Sequence, residues 1–247
     1  MKSLITTLLL SVSFGAIAAN DIEMKVEAAL SAETRPEMHS DRDDNRMPLK
    51  TLNFFGLKDD MRVLELMPGG GWYTHILAPV LADNGKLYVA LGTGRVEKNL
   101  IGTPGFENVE ALSTNENMHR PEGERFYVMD DFDFGVSDLD MVLTFRNLHN
   151  FGNEVRGLMN QRVFSALKSG GLYGVVDHTR RHMEATSGDN RRRIDPVLVI
   201  KEMLDAGFEF VDYSDMHFRA DDELEYEVGV RSVSGNTDRF TMLFRKP

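Results

Sequence analysis

The chain has 247 residues, 42% of them hydrophobic, and a formal net charge of -11 at pH 7. That length and apolar fraction suit one sizeable α/β domain better than two small ones, and the charge opposes association with DNA, RNA or an anionic membrane surface. With no cysteine in the sequence, disulfides, thiolate zinc sites and cysteine nucleophiles are excluded, and an oxidising compartment is well tolerated.

Residues 1–18 carry the marks of a signal peptide: a basic start at Lys2, an apolar run from Leu4 to Ala18, and small residues Ala16-Ile17-Ala18 at the cleavage position. Ser, Thr and Gly interrupt the run, which is shorter than the roughly 20 apolar residues a membrane span needs. The pattern therefore predicts cleavage and a periplasmic or secreted protein without a stable membrane anchor. Residues 19–55 form a charged N-terminal helical segment, broken at Arg35-Pro36, and a candidate lid. Its last stretch, Leu49 to Phe55, places its apolar residues on one helix face and stops at Gly56.

An α/β domain is expected over 56–247. Arg62 to Met67 reads as a short apolar strand, Pro68-Gly69-Gly70-Gly71 as a glycine turn, and Trp72 to Leu81 as a helix. A second strand is expected at Lys86 to Leu91, and a third at either Asn108 to Leu112 or Arg125 to Met129. Leu139 to Phe145 has the character of a buried strand. A helix from about Glu154 to Lys168 ends at Ser169-Gly170-Gly171, before a strand from Leu172 to Val176. Asp195-Pro196 is an N-cap with proline in the first turn, opening a helix to Ala206. Phe208 to Tyr213 and Arg239 to Phe244 close the pattern as two strands expected to pair as an antiparallel hairpin. Alternating strands and helices imply a mostly parallel Rossmann-like sheet with helices on both faces.

A strand carrying an acid, followed by a glycine turn and a helix, has the form of a nucleotide-type site. The missing side chains let backbone approach a ligand, and the helix start presents free N–H groups. Glu65, Gly69, Gly70 and Gly71 supply that arrangement. Ligands in open α/β sheets meet the carboxyl ends of the strands, which here carry Asn147, His149 and Asn150 after one strand and Asp177 and His178 after the next. A histidine beside a carboxylate can serve as a general base, because the partner fixes its tautomer and tunes its pKa. The same side chains could equally cap loops and satisfy backbone. His149, Asp177, His178 and His182 match no metal-ligand spacing, so no metal is expected, and no G-x-S-x-G elbow supports a serine hydrolase. The run Arg191-Arg192-Arg193, with Arg180 and Arg181 before it, reads as solvated surface or as the mouth of a site for an acidic group. Trp72 reads as packing.

Val63-Leu64-Glu65-Leu66-Met67-Pro68-Gly69-Gly70-Gly71-Trp72-Tyr73 resembles motif I of the class I S-adenosylmethionine (SAM)-dependent methyltransferases. With Thr144-Phe145-Arg146-Asn147-Leu148-His149-Asn150, Leu167-Lys168-Ser169-Gly170-Gly171 and Gly174-Val175-Val176-Asp177-His178, the chain from about Arg42 to Pro247 resembles a family of exported bacterial "predicted methyltransferases". The resemblance implies a seven-stranded sheet with the last strand antiparallel. It also implies methyl transfer from SAM to a small-molecule acceptor. In that reading Glu65, Gly69, Gly70 and Gly71 surround the amino acid part of SAM, Tyr73 lies near its methionine moiety, and Asn147 and His149 lie near the transferred methyl. Two positions depart from the family pattern. Met67 stands where motif I has its first glycine, and Leu91 stands where an acid normally holds the ribose hydroxyls, contacts worth roughly 1.5–3 kcal/mol each. Leu91, together with export away from the cytoplasm where SAM is made, favours the alternative: a non-catalytic or repurposed periplasmic ligand-binding protein on the same fold.

Overall fold

The computed structural model describes residues 13–247, with side chains from Asp21 onward. The leader expected at residues 1–18 and its cleavage site lie outside the residues whose side chains are described. The chain opens with helices α1 (Ser13–Leu30), α2 (Glu37–Ser40), α3 (Asp43–Arg46) and α4 (Pro48–Phe54). Then come β1 (Arg62–Leu66), α5 (Thr74–Val80), β2 (Lys86–Ala90), α6 (Gly94–Asn99), β3 (Val109–Ala111) and β4 (Leu139–Phe145). The second half contains α7 (Asn153–Ala166), β5 (Leu167–His178), α8 (Pro196–Asp205), β6 (Glu209–Ser214) and β7 (Arg239–Arg245). Among the described residues, no helix is long and apolar enough to cross a membrane.

The strands form one seven-stranded sheet in the order β3-β2-β1-β4-β5-β7-β6. All neighbours from β3 to β5 pair in parallel, and β7 pairs antiparallel with both β5 and β6. This is the Rossmann-like sheet expected from the sequence. Alternation along the strands sends Val63 and Leu143 to one face and Leu64 and Val142 to the other. The first face packs on α1, α4 and α5 through Val26, Leu52 and Ile76; the second packs on α7 and α8 through Val163 and Met203. Residues 21–55 thus supply part of the core, with Val26, Leu52 and Phe55 fully buried.

One local expectation, the start of β5, is corrected. The third strand is the Val109–Ala111 one, and residues 125–129 lie outside the sheet. β5 begins at Leu167 rather than Leu172, because Gly170, at φ 78°, keeps the chain in the sheet while Gly170 and Gly171 bond to Lys246. β6 and β7 pair antiparallel at the sheet edge, as the sequence pattern predicts. β7 inserts between β5 and β6, and a long connection, residues 215–238, carries the chain back across the carboxyl end of the sheet. Asp195 caps α8 as expected, its side chain accepting from the Val197 N–H at 2.9 Å.

Candidate functional site

The glycine turn leaves the carboxyl end of β1. Gly69 and Gly71 take φ of 60° and 83°, in the left-handed region. A Cβ on Gly71 would meet Leu100 Cδ1 at 2.5 Å, whereas Gly69 and Gly70 face open space. The turn therefore packs on one side and offers its backbone on the other. Glu65 points to the α5 face, where Thr74 Oγ1 donates to it at 2.7 Å. Its carboxyl is buried, has no cationic partner among the described residues, and is pushed up to about 7 by desolvation. Tyr73 is buried and stacks on Phe145, ring centroids 3.5 Å apart and 9° from parallel. Glu65, Gly69, Gly70, Tyr73, Phe145 and Asn147 line one cavity of about 220 Å³. Gly71 supports it from behind.

Asn147 donates through Nδ2 to the Leu66 carbonyl at 3.1 Å, fastening the end of β4 to the end of β1. It positions the turn, and its amide N–H group is spent on backbone.

Two strand ends away, Asp177 is fully buried. Its carboxylate accepts from His149 Nδ1 at 2.6 Å, the His149 backbone N–H at 3.1 Å and the His178 backbone N–H at 2.7 Å. A carboxylate oxygen accepting from Nδ1 keeps the ring proton on Nδ1 and leaves the His149 Nε2 lone pair free; among the described residues Nε2 makes no hydrogen bond. His178 is fixed by Thr237 through Nδ1 at 2.8 Å, and burial, reinforced by His149 and three arginines, holds its pKa well below the ordinary value. The sequence-predicted residues are therefore brought into two adjoining groups, Glu65 to Tyr73 with Asn147, and His149 with Asp177 and His178. His182 lies elsewhere, on Asp195 at 2.9 Å. No group of three or more His, Asp or Glu side chains is arranged to hold a metal among the described residues.

His149 and His178 open on a second cavity of about 860 Å³, which shares Arg46 and Arg146 as walls with the glycine-turn cavity. Its other walls include the Met38–Asn45 stretch, Arg192, residues 228–237 of the long connection, and Arg239.

No protein-family model and no curated protein matches the chain. Solved structures do. A SAM dependent methyltransferase from Aquifex aeolicus aligns with a TM-score of 0.57 at 16% identity, covering 91% of this chain and 98% of that one. The fold is that of the class I SAM-dependent methyltransferases. The 1,6-didemethyltoxoflavin-N1-methyltransferase of Burkholderia thailandensis gives 0.52 at 14% identity over 98% and 93% of the two chains. The [4+2]-cyclase SpnF gives 0.53 at 15% over 82% and 81%. The methyltransferase fold is thus shared with proteins that carry out different chemistries by name, a methyltransferase and a cyclase.

Within the methyltransferase fold, Leu91 follows β2 with φ 65° and is almost fully buried. Beside it, a cavity of about 280 Å³ is bordered by Thr93, Glu97, Thr114 and Glu116. Thr93 bonds to Glu97, and Thr114 to Glu116. Glu97, one turn into α6, is a carboxylate near this strand end that the sequence alone did not single out. Its place is set by the short helix α6, which gave no periodic signal.

The arginine run divides: Arg191 and Arg192 are exposed, as expected, and Arg193 is not. Arg193 is buried and bidentate to Asp222, at 2.8 and 2.9 Å, so it anchors the long connection. Only Arg192 reaches the large cavity, where it pairs with Glu227. The guanidinium groups that do face the cavity (Arg42, Arg46, Arg146 and Arg239) were not singled out from the sequence. Arg146 sat inside a quoted motif, but nothing local distinguished it from a surface residue.

Proposed function

We propose that the chain binds SAM across the glycine turn and transfers its methyl group to a small-molecule acceptor, with His149 as general base. The observation that carries this reading is the His149–Asp177 pair, whose free Nε2 opens on a cavity that adjoins the glycine turn. The residues present fit the cofactor. Glu65 is a buried carboxylate with no cation of its own, which an α-ammonium would satisfy, and Gly69 and Gly70 leave backbone room. Glu97 and Glu116 stand at the end of β2, where ribose hydroxyls need acceptors. SAM, when bound, supplies an electrophilic methyl on a sulfonium. His149 would accept the acceptor's proton at Nε2, and Asp177 would orient the ring and stabilise the imidazolium. Tyr73 and Phe145 exclude water from the floor of the turn.

Calorimetric titration of the purified protein with S-adenosylhomocysteine tests the reading. Micromolar binding is expected, weakened about tenfold or more by Gly71→Val or Glu97→Gln, in line with the loss of a close approach or a charged hydrogen bond. An absence of binding up to millimolar would overturn it. Leu91 favours a second reading, a ligand-binding protein that kept the fold without SAM. We also propose that residues 1–18 export the protein. Fused to a reporter active only outside the cytoplasm, residues 1–25 should switch it on, and a silent reporter would refute export.

A further inference from the structure

The large cavity is strongly cationic in a chain whose net charge is -11. Arg42, Arg46, Arg146 and Arg239 converge on it, against one carboxylate at its rim, Asp41. Among the described residues none of the four arginines has a salt bridge, and Arg42, Arg46 and Arg146 make no side-chain hydrogen bond. Arg46 is 92% buried, its Nε and Nη1 sealed from solvent without a partner. Its plane lies over Trp72, 4.3 Å from guanidinium carbon to ring centroid. Arg239 is held in place by the Asn45 carbonyl at 2.6 Å and by its side-chain oxygen at 2.5 Å. The three buried or half-buried guanidiniums repel one another. Burial lowers Arg46 to about 9 and Arg239 to about 10, with Arg146 the largest charge acting on each.

Burying unpaired like charges together is costly unless a counter-charge is bound with them. The Arg146 side chain has no hydrogen-bonding or ion-pairing partner among the described residues, and the residue takes the left-handed φ of 64°, a conformation that side chains of its type rarely adopt. Backbone strain at the mouth of a cavity, with its side chain free, marks a placed functional group. Planar guanidinium forks from separate elements recognise oxyanions by paired, charge-assisted hydrogen bonds.

We propose that this cavity is a docking site for an oxyanion, a phosphate monoester or a carboxylate, carried by the small molecule that the His149 side of the cleft receives. The proposal rests on the reading of the cleft as an acceptor site, and it narrows the acceptor to an anionic one. Arg46, Arg146 and Arg239 grip the anion, Arg42 closes from the exposed α2–α3 side, and His149 Nε2 faces the remainder of the ligand.

The test titrates the full chain in chloride buffer with inorganic phosphate and, separately, with succinate, each alone and in the presence of saturating S-adenosylhomocysteine. Saturable binding of either probe is expected, and the tighter of the two identifies the head group. Arg146→Asn should weaken it by about tenfold or more, the loss of one charged hydrogen-bonding partner. Asparagine tolerates the left-handed backbone, so that variant should keep its melting temperature. Arg42→Ala, at the exposed rim, is a second variant that leaves the fold untouched and should weaken binding severalfold. Arg245→Gln, at the far end of the sheet, should change nothing. No saturable binding, or binding indifferent to both cleft variants, would overturn the proposal. If S-adenosylhomocysteine binds and abolishes phosphate and succinate binding, the arginines serve the cofactor's own carboxylate and the proposal falls. Where S-adenosylhomocysteine binds and the anions do not, the methyltransferase reading stands without this one. Where the anions bind and it does not, the anion site stands and the cofactor reading is lost.

Discussion

At the residue scale, the site is governed by a few buried ionisable groups whose partners are fixed by the backbone. Asp177 collects three N–H donors. Asparagine in its place offers one acceptor oxygen and turns an amide N–H toward a donor. Asp177→Asn should therefore cost about 2–3 kcal/mol in urea unfolding and release the His149 tautomer, readable in imidazole ¹⁵N shifts. Glu65 works in the opposite direction. Its folded-state pKa of about 7 lies above the ordinary 4.5, so the folded protein binds more protons than the unfolded chain between those values. Stability from this group is full below about pH 4.5 and is lost as pH rises through 7, on the order of 3 kcal/mol in all. Glu65→Gln should flatten that slope and melt higher than wild type at pH 8. A variant that follows the same pH curve as wild type would show that Glu65 is solvated. Glu65 and the His149–Asp177 relation could be read from the sequence, because each sits at the predicted end of a strand. The missing cation beside Glu65 and the free Nε2 could not, since both depend on what other elements bring near.

At the element scale, the sheet does most of the positioning and short helices do the rest. The carboxyl ends of β1, β2 and β4 are each followed by a non-glycine residue with left-handed φ: Met67 at 51°, Leu91 at 65° and Arg146 at 64°. Each turns the chain sharply out of the sheet and into a cavity wall, at a cost of roughly 1–2 kcal/mol. Alternating apolar strands and capped helices made β1, β2, β4, α7 and α8 legible, because their pattern is local. α6 and the start of β5 escaped notice: α6 is too short to show a period, and the Ser169-Gly170-Gly171 stretch carries turn chemistry that the pairing with Lys246 overrides. Residues 39–46 are tied to the rest of the molecule by three side chains. Trp72 Nε1 donates to the His39 carbonyl at 2.9 Å, His217 Nε2 donates to the Arg46 carbonyl at 2.9 Å, and Arg239 donates to Asn45. Trp72→Phe removes one of them while keeping the aromatic floor. It should cost about 1 kcal/mol and speed hydrogen exchange over residues 37–47 while β1 and β4 stay protected. Unchanged exchange there would mean that the other two bonds suffice.

At the scale of the whole molecule, segments far apart in sequence form one body, which is why the cleft was the least legible part. Arg239 and Asn45 meet across 194 positions, and no local pattern encodes such a meeting. The long connection between β6 and β7 is held by the buried Arg193–Asp222 pair, whose Asp222 also accepts from the Asp238 N–H at 2.6 Å. Asp222→Ala would leave a buried guanidinium unpaired, a loss of about 3–5 kcal/mol. Because Arg193 ties that connection to the segment before α8, and His217 ties it to the Arg46 carbonyl of the N-terminal segment, melting should fall by about 10 °C in one cooperative transition. Two separate transitions would mean that the cleft walls unfold independently of the sheet. The sequence contains one tryptophan, and the fold seats it between the guanidiniums of Arg35 and Arg46, 5.0 and 4.3 Å from its ring centroid, next to Tyr73. The protein consequently carries its own optical probe in the wall of the glycine-turn cavity, against an arginine that also lines the large one. Any ligand that draws Arg46 off the indole should alter emission intensity without a label, and unfolding should shift the same emission to the red.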